Sequence, residues 1–196
     1  MDRYFIDKIK LFFALLGGIV LIPHFIFFKF HPKRSLIILD IKKWKSIHKI
    51  DLNNNFAFFY FMRYNPEFRN IFYKRIGAFS KLFSWLCPKM KTLFIVTENI
   101  GGGLYIEHGF STIITAKSIG ENCWINQQVT IGFKNSKSPI IGDNVRISCG
   151  AKILGDIKVG NNAVIGANAV VLKDVPENTI VAGVPTKVIK MVNTDN

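Results

Sequence analysis

An aliphatic residue recurs every six positions over most of the second half of the chain. The repeat runs through Ile119-GENCW, Ile125-NQQVT and Ile131-GF and, after a short interruption, continues from Ile141-GDNVR to Val171-LKDVP. The fifth residue of each unit is small or medium-sized, and Gly, Asn or Asp often follows the aliphatic residue. A fixed period of six is typical of a hexapeptide parallel β-helix, in which three units close one triangular coil.

The composition of the units fits the inside and the corners of such a coil. The aliphatic side chains would stack inward, and the fifth residue, Cys123 in one unit, must be small because it faces the same crowded interior. Gly and Asn suit the corners because they tolerate left-handed backbone. The units between Ile100 and Val175 predict roughly four coils. We therefore predict a mostly β fold, a left-handed parallel β-helix with an α-helical, hydrophobic N-terminal region.

The spacing changes once, near the start of the repeat. Ile106 and Ile113 are seven residues apart, and the extra residue falls beside His108, the one histidine of the repeat region. An inserted residue would interrupt the even wall and let a side chain project outward. The flat faces of a β-helix also favour close packing of identical copies, and closed symmetry predicts a homotrimer. The interruption would then face the groove between neighbouring subunits.

Charge and aromatic residues are concentrated in the first half. Residues 1–91 hold 17 Lys and Arg against 5 Asp and Glu, and 15 of the 18 Phe residues. This combination suits an anionic membrane surface, where cations meet headgroups and aromatic rings lie at the interface. No nucleic-acid-binding signature accompanies the basic residues, so we expect no nucleic-acid partner.

Residues 11–28 contain no formally charged side chain. Three interpretations are open: a spanning helix, a shallow hairpin bent at Gly17-Gly18 and Pro23, or a buried core helix. Basic residues flank both ends, which favours both ends on the cytoplasmic side and places the protein in the cytoplasm, at the inner face of the membrane.

The helical region offers local signals as well. Ser35 is predicted as the N-cap of one helix, and Asn65 with Pro66 as the start of another. His24, His31 and His48 have no acidic residue at a telling spacing and are interpreted as interface or surface histidines. We predict a membrane-associated segment at 1–34, a helical region at 35–91, the β-helix at 92–190 and a tail at 191–196.

Cysteine usage excludes two other classes. Cys87, Cys123 and Cys149 form no CxxC pair and no spaced His/Cys cluster, which indicates reduced thiols and neither a disulfide framework nor a metal site. One histidine without clustered carboxylates is no metal-ligand set, so we expect no metal.

Five blocks carry a resemblance to a known family: IGGGLYIEHG, IGENCWINQQVTIG, KNSKSP, IGDNVRISCGAKILG and VVLKDVPENTIVAGVPTKVI. Over about residues 98–190 the sequence resembles the left-handed β-helix acyltransferases, most closely their serine acetyltransferase branch. The N-terminal half shows no match to the helical domain of enteric serine acetyltransferases. The resemblance implies acetyl transfer from acetyl-CoA to a hydroxyl.

The resemblance assigns the reacting groups. His108 occupies the place of the general base that removes the hydroxyl proton. The aspartate that orients this base in the family falls near Leu93 here, where there is no carboxylate, which leaves Glu98 or Glu107 for that role. Glu107 also matches the family's acidic contact to the amino-acid acceptor.

Further positions follow from the same resemblance. A second family histidine falls at Ser138, and its basic neighbour is retained as Lys137, so both are predicted to bind the acceptor. The predicted coenzyme contacts are Cys149, Gly166 and Ala167 for the pantetheine arm and Lys173 and Lys187 for the phosphates.

The acceptor is less constrained than the donor. The apolar, basic N-terminal half and the missing acceptor groups favour a sugar hydroxyl on a glycan precursor of the cell envelope. The closeness to the serine branch, with Glu107 and Lys137, favours L-serine, as in cysteine biosynthesis. A non-catalytic β-helix scaffold is a further alternative.

Overall fold

The computed structural model describes residues 18–192 together with Ile9. The chain divides into two compact units between Met90 and Lys91, the first helical and the second built from short strands. The predicted extent of the membrane-associated segment includes residues 1–8 and 10–17, which lie outside the described residues, as do residues 193–196 of the predicted tail.

The helical unit contains four α-helices among the described residues. They are α1 (Ile22–Phe30), α2 (Arg34–His48), α3 (Asn54–Tyr64) and α4 (Pro66–Ile76), with 3-10 turns at Gly18–Leu21 and Gly77–Leu82. The N-cap prediction at Ser35 is wrong, because α2 already begins at Arg34 and Lys33 precedes it without a side-chain cap. Asn65 and Pro66 do begin α4, although the Asn65 side chain makes no capping hydrogen bond.

Aromatic rings form the core of the helical unit. Phe28 of α1 stacks on Phe58 of α3 with ring centroids 4.7 Å apart, and Phe58 meets Phe72 of α4 edge-on at 5.1 Å. Arg75 and Asp40 form a two-pronged ion pair inside this core, at 2.9 and 3.0 Å. The basic residues of this half are therefore not all available to a partner.

The uncharged stretch has one buried and one exposed face where it is described. His24 and Phe28 are buried, so the interpretation of His24 as an interface or surface residue is wrong. Ile22, Ile26 and Phe30 lie exposed on the opposite side of α1. Within residues 18–192, no helix is long and apolar enough to cross a membrane.

The second unit is a left-handed parallel β-helix of about five turns, which confirms the predicted fold class. Its strands are β1 (Leu93–Ile95), β2 (Asn99–Ile100), β3 (Tyr105–Ile106), β4 (Thr112–Ile114), β5 (Ser118–Ile119), β6 (Trp124–Ile125), β7 (Thr130–Gly132), β8 (Ile140–Ile141), β9 (Arg146–Ile147), β10 (Lys152–Leu154), β11 (Lys158–Val159), β12 (Val164–Ile165), β13 (Val170–Val171), β14 (Thr179–Ala182) and β15 (Lys187–Met191).

The strands stack into three sheets, which form the three walls of the helix. Sheet I holds β1, β4, β7, β10 and β13, sheet II holds β2, β5, β8 and β11, and sheet III holds β3, β6, β9, β12, β14 and β15. Neighbours pair in parallel, except that β15 closes sheet III antiparallel to β14. The prediction of four coils is one short, because β1 pairs with β4 and adds a turn ahead of Ile100. Its sequence, LFI, carries no six-residue signature.

The interior follows the repeat. Ile125, Ile147 and Ile165 are fully buried on sheet III, and so are Cys123 and most other residues at the fifth position of a unit. At the corners between sheets II and III, the side chains of Asn144, Asn162 and Asn178 are hydrogen-bonded in series, at 3.0 and 2.8 Å, with positive φ at each residue. The predicted role of Asn at left-handed corners is thereby confirmed.

The register near the interruption differs from the prediction. Ile114, not Ile113, belongs to the buried column, because Ile114 pairs with Ile131 and is fully buried whereas Ile113 is 44% exposed. Strand alternation places Thr112 and Ile114 on the inner face and Ile113 on the outer face. The interval from Ile106 to Ile114 is therefore two residues longer than a six-residue unit, and the interval from Ile114 to Ile119 is one residue shorter.

Two of the corners matter for the site. The histidine edge comprises the corner segments that lead from sheet III to sheet I, at 107–109, 126–128, 148–150 and 166–168, and residues 182–184 stacked on them, where the chain passes from β14 toward β15. The loop edge comprises those that lead from sheet I to sheet II, at 96–98, 115–117, 133–139, 155–157 and 172–174.

Candidate active site

His108 lies at the head of the histidine edge with an exposed side chain. Its φ of 61° is left-handed, and Gly109 follows with a φ of 51°. A left-handed conformation costs a non-glycine residue roughly 1–2 kcal/mol, so a histidine here is not explained by stability. The Phe110 N–H donates to the His108 carbonyl at 2.6 Å and closes this tight turn. The imidazole itself makes no hydrogen bond to any residue of the described part of the chain.

The Glu107 side chain is held by residues of the next turn. Its Oε2 accepts hydrogen bonds from Trp124 Nε1 at 3.1 Å and from Asn126 Nδ2 at 3.0 Å. The predicted role of Glu107 as the orienting partner of His108 therefore has no hydrogen bond to support it within one protomer. The predicted contact to the acceptor fits its half-buried position at the corner.

Below His108 the histidine edge continues with one glutamine and then with small residues. The positions equivalent to His108 on the following turns are Gln127, Cys149, Ala167 and Gly183. Backbone hydrogen bonds join them, since Gly150 N–H donates to Gln127 and Asn168 N–H donates to Cys149. With turns about 4.8 Å apart, the column from His108 to Ala167 is about 14 Å long.

The predicted pantetheine positions thus share one edge with the predicted base. Gly166 is next to Ala167, and a Cβ built there would lie 2.9 Å from the Ala182 Cβ, so the close approach of two turns requires glycine. Lys187 is at the end of the same edge, because it pairs with Ala182 across β14 and β15.

The other predicted residues lie on the loop edge. Asn135 and Ser136 form a tight turn with φ of 52° and 62°, which presents Lys137 and Ser138. Lys137 Nζ donates to Asp156 Oδ2 at 2.7 Å, and this hydrogen bond raises the pKa of the lysine. An open cavity of about 450 Å³ is lined by Lys117, Ser136, Lys137, Ser138 and Asp156.

Glu98 and Lys173 also belong to the loop edge, near its two ends. Sheet I separates them from the histidine edge within one protomer. Glu98 could orient His108 only across two copies of the chain. Lys173 and Lys187 are closer to each other within one chain, because the Thr186 N–H, next to Lys187, donates to the Val170 carbonyl of β13 at 3.1 Å. In one protomer, the predicted site residues on the histidine edge are Glu107, His108, Cys149, Gly166, Ala167 and Lys187. Those on the loop edge are Glu98, Lys137, Ser138 and Lys173.

Sequence reasoning missed Trp124, Asn126 and Arg146. The Arg146 guanidinium carbon lies 4.5 Å from the centroid of the Trp124 ring. These residues follow the repeat as outward-facing members of their units, and only the pairing of β3 with β6 and of β6 with β9 brings them beside Glu107.

Comparison with known proteins agrees with this geometry. Residues 138–173 match the family model for bacterial transferase hexapeptide (six repeats). Serine acetyltransferases of Staphylococcus epidermidis and Staphylococcus aureus are 47% and 45% identical over 96 residues, which is 46% of this chain and 45% of each relative. The chain thus spans less than half the length of these curated relatives.

Solved structures extend the likeness. A serine acetyltransferase in complex with CoA superposes with a TM-score of 0.66 and 28% identity, over 83% of this chain and 72% of that one. The enzyme of Neisseria gonorrhoeae in complex with serine gives 0.62 and 26%, over 79% and 68%.

The coverage of 83% reaches beyond the β-helix unit, which holds little more than half of the residues. The superposition therefore includes part of the helical unit, where the sequence shows no match to the helical domain of enteric serine acetyltransferases. Helices keep their packing while their sequences diverge, so the likeness is visible in the structure and not in the residues. The resemblance of this chain to the hexapeptide-repeat acyltransferases, on their serine acetyltransferase-like branch, is confirmed.

Proposed function

We propose that the protein is an acetyl-CoA-dependent O-acetyltransferase with His108 as general base. The observation that carries the proposal is the position of His108, exposed in a strained left-handed turn at the head of an edge of small residues. Attack of a hydroxyl on a thioester needs a base within reach of the hydroxyl proton and donors for the oxyanion that forms.

The histidine edge suits the donor. Cys149, Gly166 and Ala167 leave room for a thin pantetheine arm and expose backbone groups along it. Lys187, at the end of this edge, is placed for the phosphates. Serine acetyltransferases have been solved with CoA, which supports acetyl-CoA as the acetyl donor.

The two edges imply a homotrimer. A threefold arrangement that sets the histidine edge of one protomer against the loop edge of its neighbour would bring Lys137, Ser138 and Lys173 to His108 and complete the site. This arrangement accounts for predicted site residues on two edges that sheet I separates within one chain.

L-Serine is the proposed acceptor. The relatives and solved structures named above are serine acetyltransferases, and one was solved with serine. Glu107 beside the base offers a carboxylate to the amino group of such an acceptor. None of these comparisons supports a glycan acceptor.

One observation favours a second candidate, a glycan hydroxyl at an anionic membrane surface facing the cytoplasm. The exposed side of α1 carries Ile22, Ile26 and Phe30, followed by the exposed Lys33 and Arg34. An apolar stripe beside cations is the pattern of an interfacial helix.

Thiol release from acetyl-CoA, followed with L-serine as sole acceptor, tests the proposal. We expect release that depends on serine, and a loss of about 10²- to 10⁴-fold in kcat for His108→Ala. The matched control is His31→Ala in the helical unit, which should retain the activity of the unaltered protein.

Three other results would contradict parts of the proposal. Release no faster than background hydrolysis, by protein that still binds CoA, would overturn L-serine; acetylation of nucleotide sugars or lipid-linked glycans on phosphatidylglycerol vesicles would then establish the second candidate. Full activity of His108→Ala would overturn the assignment of the base. Absence of CoA binding would leave the scaffold alternative.

A further inference from the structure

Glu107 is part of a contact chain that crosses three turns of the β-helix. Trp124 and Asn126 lie on the second turn and bind the Glu107 carboxylate, and Arg146 lies on the third. We infer that Trp124 and Asn126 are positioning residues that fix the Glu107 carboxylate to receive the ammonium group of an amino-bearing acceptor. This inference rests on the proposed O-acetyltransferase function and specifies what its acceptor must carry.

The hydrogen bonds engage only one of the two carboxylate oxygens. Both donors, at 3.1 and 3.0 Å, bind Oε2, while Oε1 makes no hydrogen bond to residues 18–192. The Glu107 backbone N–H is bound to the Ile125 carbonyl at 2.9 Å, so the residue is anchored at both ends. Oε1 is therefore held in place and left for a ligand.

The indole is itself fixed from two sides. The Arg146 guanidinium lies over its ring at 4.5 Å, and the Tyr105 ring meets it edge-on at 5.0 Å. A cation over an indole face is the strongest arrangement of its kind. The strand pairings Tyr105–Trp124 and Trp124–Arg146 set this stack.

Asn126 is not explained by stability. Its amide nitrogen binds Glu107, but its Oδ1 is buried without a hydrogen bond to the described residues. A buried carbonyl without a partner costs about 1–3 kcal/mol. An apolar side chain of similar size would avoid this cost but would lose the hydrogen bond to the Glu107 carboxylate, which is the contact that Asn126 contributes.

The arrangement selects for a cation. Trp124 and Asn126 are neutral donors, and among the described residues no Lys or Arg forms an ion pair with Glu107. An ammonium group of the acceptor would form an ion pair with this carboxylate. A neutral sugar hydroxyl would not. Because Glu107 adjoins His108, the amine must be close to the reacting hydroxyl, as in a 1,2-amino alcohol.

Two substitutions test the role. Trp124→Phe keeps a ring over Arg146 and removes the N–H, and Asn126→Leu removes the amide. For each we expect the KM for L-serine to rise about tenfold, as for loss of a hydrogen bond to a charged group. The kcat should change less than about twofold, because the base is untouched. The KM for acetyl-CoA should not change.

3-Hydroxypropanoate, which is L-serine without the amine, supplies the discriminating acceptor. The unaltered protein should prefer L-serine strongly, and both substitutions should reduce this preference without weakening the use of 3-hydroxypropanoate. Trp85→Phe, in the helical unit, is the matched control and should change none of these values.

The outcomes separate the two proposals. Serine turnover with unchanged KM in both variants would overturn the positioning role and leave the O-acetyltransferase proposal intact. An equal loss of activity with L-serine and with 3-hydroxypropanoate would show a general disturbance of the site and overturn the inference. A rise in the KM for acetyl-CoA together with the KM for L-serine would do the same. No turnover of L-serine by the unaltered protein would overturn both the serine proposal and the amine-binding role.

Discussion

His24 lies within the aromatic core of the helical unit. Its Nε2 is 2.9 Å from the Tyr73 hydroxyl, and that hydroxyl donates to the Cys87 carbonyl, so the imidazole must donate from Nε2. Phe83 meets the imidazole edge-on at 4.7 Å. Burial disfavours the charged imidazole and lowers the pKa of His24 to about 4.

This lowered pKa predicts a pH-dependent stability. In the unfolded chain the histidine takes up a proton near pH 6.5, whereas the folded protein resists it until about pH 4. Stability is therefore full above pH 6.5 and falls as the pH drops toward 4, by about 3 kcal/mol at most. Urea unfolding at several pH values measures this loss. His24→Gln, which keeps a donor for Tyr73, should flatten the slope between pH 4 and 6.5; an unchanged slope would assign it to other groups.

Single residues were predictable from the sequence to very different degrees. His108 is predicted as the base because the regular repeat is interrupted there and because a family motif contains it. His24 was misjudged, since burial of a histidine depends on Phe83 and Tyr73, which are distant in sequence. Trp124 and Asn126 were missed for the same reason, because Glu107 is 17 and 19 residues away from them.

At the scale of elements, the strand register after His108 makes a matched test possible. Ile113 and Ile114 are neighbours of the same type, but only Ile114 is fully buried. Ile114→Ala should lower the free energy of unfolding by about 2–5 kcal/mol, because it leaves a cavity in the β-helix interior. Ile113→Ala should cost less than about 1 kcal/mol. Denaturant unfolding of both variants measures the difference. A larger loss for Ile113→Ala than for Ile114→Ala would show that Ile113 is the buried residue, as the sequence repeat predicts.

The period of six predicts most of the strands, because the aliphatic residue of each unit marks the buried position of its strand. It fails at β1 and at β4. At β1 no Gly or Asn marks the corners, and at β4 Thr112 faces inward while an isoleucine faces outward. There the pairing of strands from successive turns decides the register, and pairing is not visible in one sequence.

At the scale of the whole molecule, the question is whether the residues of one active site come from one chain or from two. His108 is on one edge of the β-helix, and Lys137 and Ser138 are on another. The sequence placed all of them in one site through family motifs, without showing that a single wall of the β-helix lies between them. Only the order of the three sheets reveals this separation, and the proposed trimer would bring the two edges together.

Mixed trimers provide the test of this assembly. His108→Ala and Lys137→Ala each remove a group from every site of a homotrimer, so each protein alone should lose activity. If each site takes His108 from one protomer and Lys137 from its neighbour, about a third of the sites are intact in trimers that contain both variants. Co-expression of the two variants with different affinity tags, tandem purification and the thiol-release assay measure the recovered activity.

The control for the mixed trimers is a pair of substitutions on the same edge. Co-expression of His108→Ala with Cys149→Trp tests two positions of the histidine edge, both of which one protomer supplies. In those trimers every unaltered His108 belongs to a chain whose groove is blocked by the introduced indole, so no intact site should arise. Recovery in the first pair and none in the second would place each site across two protomers. If trimers that contain both tags show no recovered activity in the first pair, the complete site lies within one chain. The separation of the two edges would then no longer support a trimer.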